Sequence, residues 1–397
     1  MNKQISFGRM YEGLAGVSLI FYIGVAPLYK YGEYVYGFPR VNVTLVMSTF
    51  LVMLMFLGGA ASACSKKMLL SGCLTLAAAF LVLWVSILQV VQVPFLISEV
   101  DAHSVLTYLS RTLVTSVVLF LVGMHLEGIA KNWKGPILIF WACAVAIYSY
   151  GTYQSSGFYI YLDGEQIYLM LSDAFLLLAF LTIYCVRSNY LKVVVFVISV
   201  VILLTLLSRS ALLLFVLSVF SYVFVRKPLS ALACLFASGG LVALGWMQLV
   251  AFFGERNRFV RFFVSGEDSS FSSRMELTRL GFEDLQNNWL LGRYMYDVVR
   301  YDITGAYAHN YMSFWTAYGV GPSFLFVVIG VVFIVNALMV KNKSSYYGLI
   351  IMLLVANILA ILISKSYLYP YIWLAVGAAA VYFDSTRQMV LDKGSAI

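Results

Sequence analysis

Charged side chains are scarce along this chain of 397 residues, and their scarcity excludes most soluble folds. Asp, Glu, Lys and Arg make up 11% of the sequence, whereas 62% is hydrophobic. A water-soluble domain carries roughly a quarter charged residues. The net charge of +8 is also no nucleic-acid signature, because the cations cluster in short segments between apolar runs, as in membrane proteins. The composition therefore predicts contact with membrane lipids and not with nucleic acid.

Motifs for metal and nucleotide chemistry are missing as well. The five cysteines all fall in apolar runs without a CxxC pair, which is typical of small buried side chains and not of disulfides or metal sites. There is no GxxxxGK[ST], no GxGxxG after a strand, and no His, Cys and carboxylate cluster with metal-ligand spacing. We therefore expect no metal or other cofactor. An activated substrate would have to arrive in the membrane, linked to a lipid, with arginines stabilising its leaving group.

Twelve apolar runs predict membrane-spanning helices, since a span needs about 20 apolar residues. The runs lie near 11–29, 41–63, 68–91, 105–127, 135–153, 167–186, 192–208, 210–225, 229–252, 313–340, 346–364 and 369–383. No stretch between them has the composition of a separate soluble domain. We therefore expect an all-α polytopic membrane protein with a single transmembrane domain over 1–397.

The distribution of Lys and Arg predicts the orientation of these spans. If both termini are cytoplasmic, fourteen of the 26 cations fall in short cytoplasmic segments. Only four fall in short outer connections, namely Lys30, Arg40, Arg209 and Lys365. Such an excess is the positive-inside pattern of multi-pass proteins. We therefore expect both ends of the chain in the cytoplasm.

One hydrophilic segment, 253–312, is expected to form a large outer loop that contains short helices. Ser273 and Glu276 have the spacing of a capping box, which predicts a helix that begins at Ser273. Gly292 is a suitable C-terminal stop for it. Its apolar face, expected to dock at the outer mouth of the helix bundle, contains Phe282, Leu285 and Trp289.

Two arginines on the outer side are candidates for binding an anion. Arg274 at a helix start would face the positive end of the helix dipole, and a phosphate would resolve that conflict. The alternative is a solvated arginine beside Glu276 or Asp268. Arg209 lies between two apolar runs, where an arginine is costly unless it is paired, faces a water-filled cavity or reaches lipid headgroups.

Two further candidates are Arg111 and His309. Arg111 lies inside the fourth predicted span, with Asp173 of the sixth span as its nearest counter-ion, so a structural ion pair competes with an anion site. His309 lies where the outer loop re-enters the membrane. Its imidazole could take a proton from a hydroxyl near neutral pH. A purely structural histidine is the alternative.

Together these features resemble the family of O-antigen polymerases (Wzy) and O-antigen ligases, which are bacterial inner-membrane glycosyltransferases. The number of spans and the single large loop in the C-terminal half are similar over the whole chain. The segments that carry the resemblance are Ser208-Arg209, Ser273-Arg274, Trp289-Leu290-Leu291-Gly292, His309-Asn310-Tyr311 and Tyr318-Gly319-Val320-Gly321. They resemble the family's S-R, R…P-L-G and H-N…G-x-x-G patterns. The chain departs from them at Asn288-Trp289, where a proline is common, and after Gly292, where a second glycine is common.

The resemblance implies a GT-C-like fold and glycan transfer at the periplasmic face of the inner membrane. The donor would be a glycan on undecaprenyl pyrophosphate, and the acceptor a sugar hydroxyl on another lipid-linked repeat. Arg209 and Arg274 would stabilise the pyrophosphate, and His309 would orient or deprotonate the acceptor hydroxyl. We assign substrate binding to Arg111, Asn310, Arg293, Glu276 and Tyr311, with Asn310 alternatively supporting its own turn. A chain-length regulator and a flippase are the expected protein partners.

Two other functions stay open at this point. An O-antigen ligase would share these motifs but transfer the glycan to lipid A–core. A lipid-linked oligosaccharide flippase would have a similar number of spans, but it would not need a 60-residue outer loop, and it would concentrate polar residues at mid-membrane, where this chain has few. Loss of a polymerase would leave one capped repeat on lipopolysaccharide, whereas loss of a ligase would leave bare core.

Overall fold

The computed structural model describes residues 2–62, 102–154, 167–206, 208–232, 269–294, 308, 310–339, 345–366 and 369–394. Over these ranges the regular elements are helices. Those before the long loop are α1 (Asn2–Ile20), α2 (Ala26–Tyr36), α3 (Val43–Ser62), α4 (Ala102–Met124), α5 (Leu126–Asn132), α6 (Lys134–Gln154), α7 (Ile167–Cys185), α8 (Asn189–Thr205) and α9 (Arg209–Arg226). Within the long loop lies α10 (Ser269–Asn288). The helices that follow it are α11 (Met312–Tyr318), α12 (Val320–Met339), α13 (Ser345–Ile363) and α14 (Tyr371–Gly394).

Six stretches of the described chain are long and apolar enough to cross a membrane. They are Arg9–Tyr36, Lys134–Gln154, Ile167–Cys185, Arg209–Arg226, Val320–Ala337 and Ser345–Ile363. A seventh results if α4 and α5, which meet at a 71° bend, form one broken span. The chain is therefore a helical, membrane-embedded protein with several spans, as the composition predicts.

The other predicted spans correspond to shorter helices or lie outside the described residues. Shorter apolar helices occur at Val43–Met55, Asn189–Thr205 and Tyr371–Phe383, where three of the runs lie. The runs 68–91 and most of 229–252 fall outside the described residues. The boundary predicted at 313 is wrong, because Gly319 (φ 77°) separates α11 from α12. The span therefore begins at Val320.

The first span contains a π-helical turn, Phe21–Val25, between α1 and α2. Pro27 follows directly and has no amide hydrogen for a regular helical bond. The Ala26 amide donates to the Phe21 carbonyl, five residues back. Such π-turns in helices often occur at functional sites.

Helix α7 lies at the centre of the described bundle. Nearly all of its residues are buried, because α6, α8, α9 and α13 pack around it. A helix that is apolar on every face suits this position. Asp173 is its one charged residue, so this carboxylate lies inside the bundle.

Antiparallel packing of α9 on α13 brings the start of α9 level with the end of α13. The ring of Tyr222 covers Gly348 so closely that no Cβ would fit there. Arg209 lies thirteen residues before Tyr222 on α9, and Ile361 lies thirteen residues after Gly348 on α13. Each separation is about 20 Å along its helix, so Arg209 and Ile361 are at the same level. We call this end of the bundle, which also contains Lys365, the Arg209 end.

Helix α12 also begins at the Arg209 end. The Tyr347 hydroxyl donates to the Ala337 carbonyl at 2.8 Å, which fixes the register between α13 and α12. Val320 lies seventeen residues before Ala337, and Ser364 lies seventeen residues after Tyr347, about 26 Å along each chain. Val320 is therefore level with Ser364. The long loop therefore enters the bundle at the same end as Arg209.

Candidate functional site

The helix of the long loop begins earlier than the capping-box spacing predicts. Helix α10 starts at Ser269, so Ser273 and Arg274 are interior residues of its second turn. The unpaired amides of a helix N-terminus therefore lie before Arg274. The predicted helix start at Ser273 is wrong, whereas the phosphate site at Arg274 stays a prediction.

The face of α10 that packs against the rest of the protein also differs from the prediction. Leu285 is buried as predicted, but Phe282 and Trp289 are 57% and 54% exposed. The packing face runs through Gly281, where an added Cβ would meet Met312 Sδ at 3.1 Å and Ala308 Cβ at 3.7 Å. A glycine at this position lets α10 lie close to the chain that leads into α11.

Arg274 lies on the same side of α10, one turn before Thr278, and is partly buried. The Thr278 hydroxyl donates to the Arg274 carbonyl at 2.8 Å and accepts a bond from Asn310 Nδ2 at 3.3 Å. The structure thus brings the Arg274 turn and the Asn310 turn together. His309 lies outside the described residues, but Ala308 before it lies beside Gly281 of α10, and Asn310 after it donates to Thr278 of α10.

Asn310 organises the start of α11. Its side-chain oxygen accepts from the Met312 amide at 3.0 Å, and its backbone carbonyl accepts from the Ser313 hydroxyl at 2.8 Å. This is the turn-supporting role that the sequence left open for Asn310. Both polar atoms of its side-chain amide are engaged: Oδ1 accepts from the turn, and Nδ2 donates to α10.

A crossing of two glycine turns fastens the end of α10 to the end of α11. Gly292 (φ 67°) and Gly319 (φ 77°) both adopt left-handed backbone conformations. A Cβ at Gly292 would lie 2.5 Å from the Gly319 nitrogen. The Arg293 amide donates to Thr316 O at 2.6 Å, and the Val320 amide donates to Leu290 O at 3.2 Å. This glycine crossing ties together the two glycine-containing segments that resemble the family motifs.

Aromatic side chains cover the glycine crossing. The rings of Tyr294 and Tyr318 stack with centroids 5.6 Å apart and planes 16° apart. Trp315 Nε1 donates to the Trp289 carbonyl at 2.9 Å. The Arg293 side chain, predicted to bind substrate, is exposed at the edge of this cluster.

Tyr311 connects the loop to the first turn of α12. Its hydroxyl donates to the Ser323 carbonyl at 2.5 Å, and its ring stacks on Phe326 with centroids 6.4 Å apart. Burial raises the pKa of the Tyr311 hydroxyl above its usual value. The hydroxyl is therefore protonated at neutral pH and serves as a donor, not as a base.

Glu276 lies on the exposed side of α10, away from Asn310. Its carboxylate forms an ion pair with Arg279 at 2.6 Å, and Arg279 also pairs with Glu283. The hydrogen bond from Arg279 lowers the pKa of Glu276 below its usual value. The predicted capping partner of Glu276, the Ser273 amide, is therefore replaced by a guanidinium.

Arg209 is positioned by a different set of elements. Ser208 is buried, and its side chain accepts from the Ala211 amide at 3.4 Å, which makes it the N-cap of α9. Arg209 follows as the first residue of this helix and is partly buried. Helix α9 packs on α7, α8 and α13. Arg209 and Arg274 thus belong to separate substructures at the same end of the bundle.

Asp173, predicted as the counter-ion of Arg111, is held by a different cation. Lys365 Nζ lies 2.6 Å from Asp173 Oδ2. Arg111 is in α4, and its side chain lies outside the described part. Sequence reasoning missed Lys365, although its place in a short outer connection was a usable signal.

An apolar cleft runs between α12, α13 and α14 below Tyr311. It has a volume of about 170 Å³ and is lined by Tyr311, Phe326, Val327, Ile329, Gly330, Val331, Phe333, Ile334, Leu354, Asn357, Ile358, Ile361, Leu362, Ile372, Ala375 and Val376. The lining on α12 extends from Phe326 to Ile334, about 12 Å at the helical rise. Several of these α12 side chains, such as Val331 at 53%, are exposed on the outside of the described bundle. The cleft therefore opens sideways, where the hydrocarbon of a bilayer would lie.

The arrangement combines cations at one end of an apolar bundle with an apolar cleft beneath them. Such a layout suits an amphiphile that has an anionic head and a long apolar chain. Among the described residues, no three His, Cys, Asp or Glu side chains are grouped closely enough to hold a metal ion. No protein-family model matches the chain, and no curated protein matches it significantly.

Proposed function

We propose that the protein is an O-antigen or related surface-polysaccharide polymerase, a membrane glycosyltransferase that joins undecaprenyl-pyrophosphate-linked repeat units. The observation that carries the proposal is the contact between the Arg274 turn and the Asn310 turn, at the end of the bundle that also carries Arg209. The proposal includes twelve spans in the bacterial inner membrane, cytoplasmic termini and a periplasmic Arg209 end. Its protein partners would be a flippase and a chain-length regulator.

The proposed reaction is a single glycosyl transfer. The acceptor hydroxyl oxygen forms a bond to the anomeric carbon of the donor glycan, and the bond from that carbon to the pyrophosphate oxygen breaks. Arg209 and Arg274 stabilise the charge that the departing undecaprenyl pyrophosphate gains. His309 accepts the hydroxyl proton and passes it to water. The growing glycan is thereby moved from one lipid carrier to another.

The apolar cleft supports a lipid-linked donor over a soluble one. Tyr311, next to Asn310, forms part of its lining. A carrier whose pyrophosphate lies near Arg274 could therefore place part of its polyprenyl chain in the cleft. A soluble sugar nucleotide would gain nothing from an apolar surface at this depth.

Reconstitution tests the proposal directly. The purified protein is placed in liposomes with undecaprenyl-pyrophosphate-linked repeat units, isolated from the source organism, as the sole substrate. We expect a ladder of longer glycans, with one undecaprenyl pyrophosphate released per bond. His309→Ala should slow the ladder by about 10²–10⁴-fold, the usual contribution of a general base.

The alternative functions give other outcomes in the same system. Glycan transfer only when lipid A–core is added would identify a ligase. Movement of lipid-linked glycan across the liposome bilayer without any new bond would identify a flippase. A ladder formed at the wild-type rate by His309→Ala would remove His309 from the mechanism.

A further inference from the structure

A buried ion pair joins α7 to the end of α13. The side chains of Lys365 and Asp173 are only 11% and 9% exposed. The Lys365 ammonium also lies 5.5 Å from the centre of the Tyr369 ring. Charges inside a membrane protein are costly and are kept chiefly where they bind or move a ligand.

Among the described residues, Asp173 Oδ1 is buried and has no hydrogen-bond partner, although Oδ2 receives the Lys365 ammonium. An unmatched buried acceptor loses its hydration without compensation. Two apolar side chains at these positions would avoid that loss, as replacement of buried ion pairs in other proteins shows. A role in binding explains why charged residues stand here.

The helix register puts this ion pair at the depth of Arg209. The rings of Phe180 on α7 and Phe215 on α9 stack with centroids 5.6 Å apart, so these residues are level. Toward the Arg209 end, Asp173 lies seven residues from Phe180 and Arg209 lies six from Phe215, about 10 Å and 9 Å along the parallel helices. Packed helices lie about 8–10 Å apart. The long side chains of Arg209 and Lys365 can therefore approach one ligand from neighbouring helices.

We propose that Lys365 is a further phosphate-binding cation beside Arg209, and that Asp173 is the positioning residue that holds its ammonium in place. This inference rests on the proposed function and specifies the head-group subsite of the lipid carrier. Two cations and one carboxylate leave a net positive charge, which attracts a pyrophosphate. An ammonium has three donors, and Asp173 Oδ2 occupies one of them. The other two can be directed to phosphate oxygens.

The test measures binding of undecaprenyl pyrophosphate to purified protein in lipid nanodiscs, together with thermal unfolding of each variant. Lys365→Met should weaken binding about ten- to hundredfold, the usual effect of losing a charge-assisted hydrogen bond. Lys365→Arg should restore most of the affinity because it keeps the cation. Asp173→Asn should weaken binding several-fold, less than Lys365→Met, because Lys365 keeps its charge but its ammonium is no longer held in place.

The double variant Asp173→Asn/Lys365→Met separates binding from folding. Without either charge it should unfold near the wild-type temperature, yet bind as weakly as Lys365→Met. If the pair were only structural, the double variant would recover affinity along with stability, and the inference would be overturned. Unaltered affinity in Lys365→Met would overturn it as well.

Lys30→Met is the matched control, because Lys30 forms a comparable lysine–carboxylate pair with Glu33 at 2.9 Å and is remote in sequence from α9 and α13. It should bind like wild type. Binding without polymerisation by the wild-type protein would refute the proposed function while leaving the Lys365 result valid. A wild-type protein that does not bind undecaprenyl pyrophosphate would refute both.

Discussion

Arg274 and Arg279 stand five residues apart on α10 but have different surroundings. Arg279 is exposed and forms ion pairs with Glu276 and Glu283 along the helix. Arg274 is partly buried, one turn from the Thr278 hydroxyl that binds Asn310. Only Arg274 is therefore placed to meet a ligand at the junction of α10 and α11.

This difference predicts unequal effects of the same substitution. Arg274→Lys keeps the charge but loses the planar fork that binds phosphate through two hydrogen bonds. We expect polymerisation to slow by roughly ten- to hundredfold, as for the loss of one charge-assisted bond. Arg279→Lys, the control on the same helix, should polymerise at the wild-type rate. Equal rates for the two variants would exclude a phosphate contact by Arg274.

At the residue scale, the sequence singles out Asp173 but does not predict its partner. Asp173 is conspicuous as a charge in an apolar run, but its depth suggested Arg111 as the counter-ion. Its partner Lys365 lies in the connection after α13. The long, flexible side chain of a lysine at this position extends back into the bundle. A pairing predicted from the depth of each residue along its span does not take the length of the side chain into account.

At the element scale, the glycine crossing predicts a sharp contrast between two glycines. Gly292→Ala would place a Cβ 2.5 Å from the Gly319 nitrogen in a left-handed conformation, which alone costs about 1–2 kcal/mol. Gly321→Ala would meet no atom within 4 Å. We expect Gly292→Ala to make the 269–294 region sensitive to limited proteolysis and to reduce activity. Gly321→Ala should match wild type in both assays, and similar behaviour of the two would show that the crossing does not hold the loop.

The helix boundaries around the glycine crossing differ in how far the sequence predicts them. The presence of the loop helix could be predicted, and the helix ends at Asn288, four residues before the predicted stop at Gly292. The helical conformation of 269–272 could not be predicted, because the capping-box spacing points to Ser273 as the first residue. The break at Gly319 could not either, because its left-handed conformation is imposed by the distant Leu290 and Leu291 backbone.

The apolar cleft makes a further prediction about α12. Gly330 lines it, and a Cβ there would meet nothing within 4 Å, so Gly330→Leu should fold and fill part of the space. Loss of about 1–2 kcal/mol of apolar contact with the carrier would raise the KM for lipid-linked donor about tenfold, with kcat retained. Val328→Leu, on the same helix but outside the lining, is the control. A KM that rises equally in both variants would argue against a chain in the cleft.

At the scale of the whole molecule, short connections with Lys and Arg border the end of the bundle opposite Arg209. Arg187, Lys192, Arg226 and Lys227 border α7, α8 and α9 at the end opposite Arg209. The loop helix, the glycine crossing and the Asp173–Lys365 pair all lie at the Arg209 end. Because short cytoplasmic connections of multi-pass proteins are rich in Lys and Arg, we predict that these connections are cytoplasmic and that the Arg209 end is periplasmic.

Cysteine labelling in intact cells checks that orientation. In a protein whose five native cysteines are replaced, Met275→Cys introduces a thiol at a position 57% exposed on α10, and Leu229→Cys one at a position 82% exposed beyond α9. A maleimide that reaches the periplasm but cannot cross the inner membrane should label only Met275→Cys. Leu229→Cys should react only after the inner membrane is permeabilised. The reverse pattern would put the Arg209 end in the cytoplasm and would overturn the periplasmic site of the proposed polymerase.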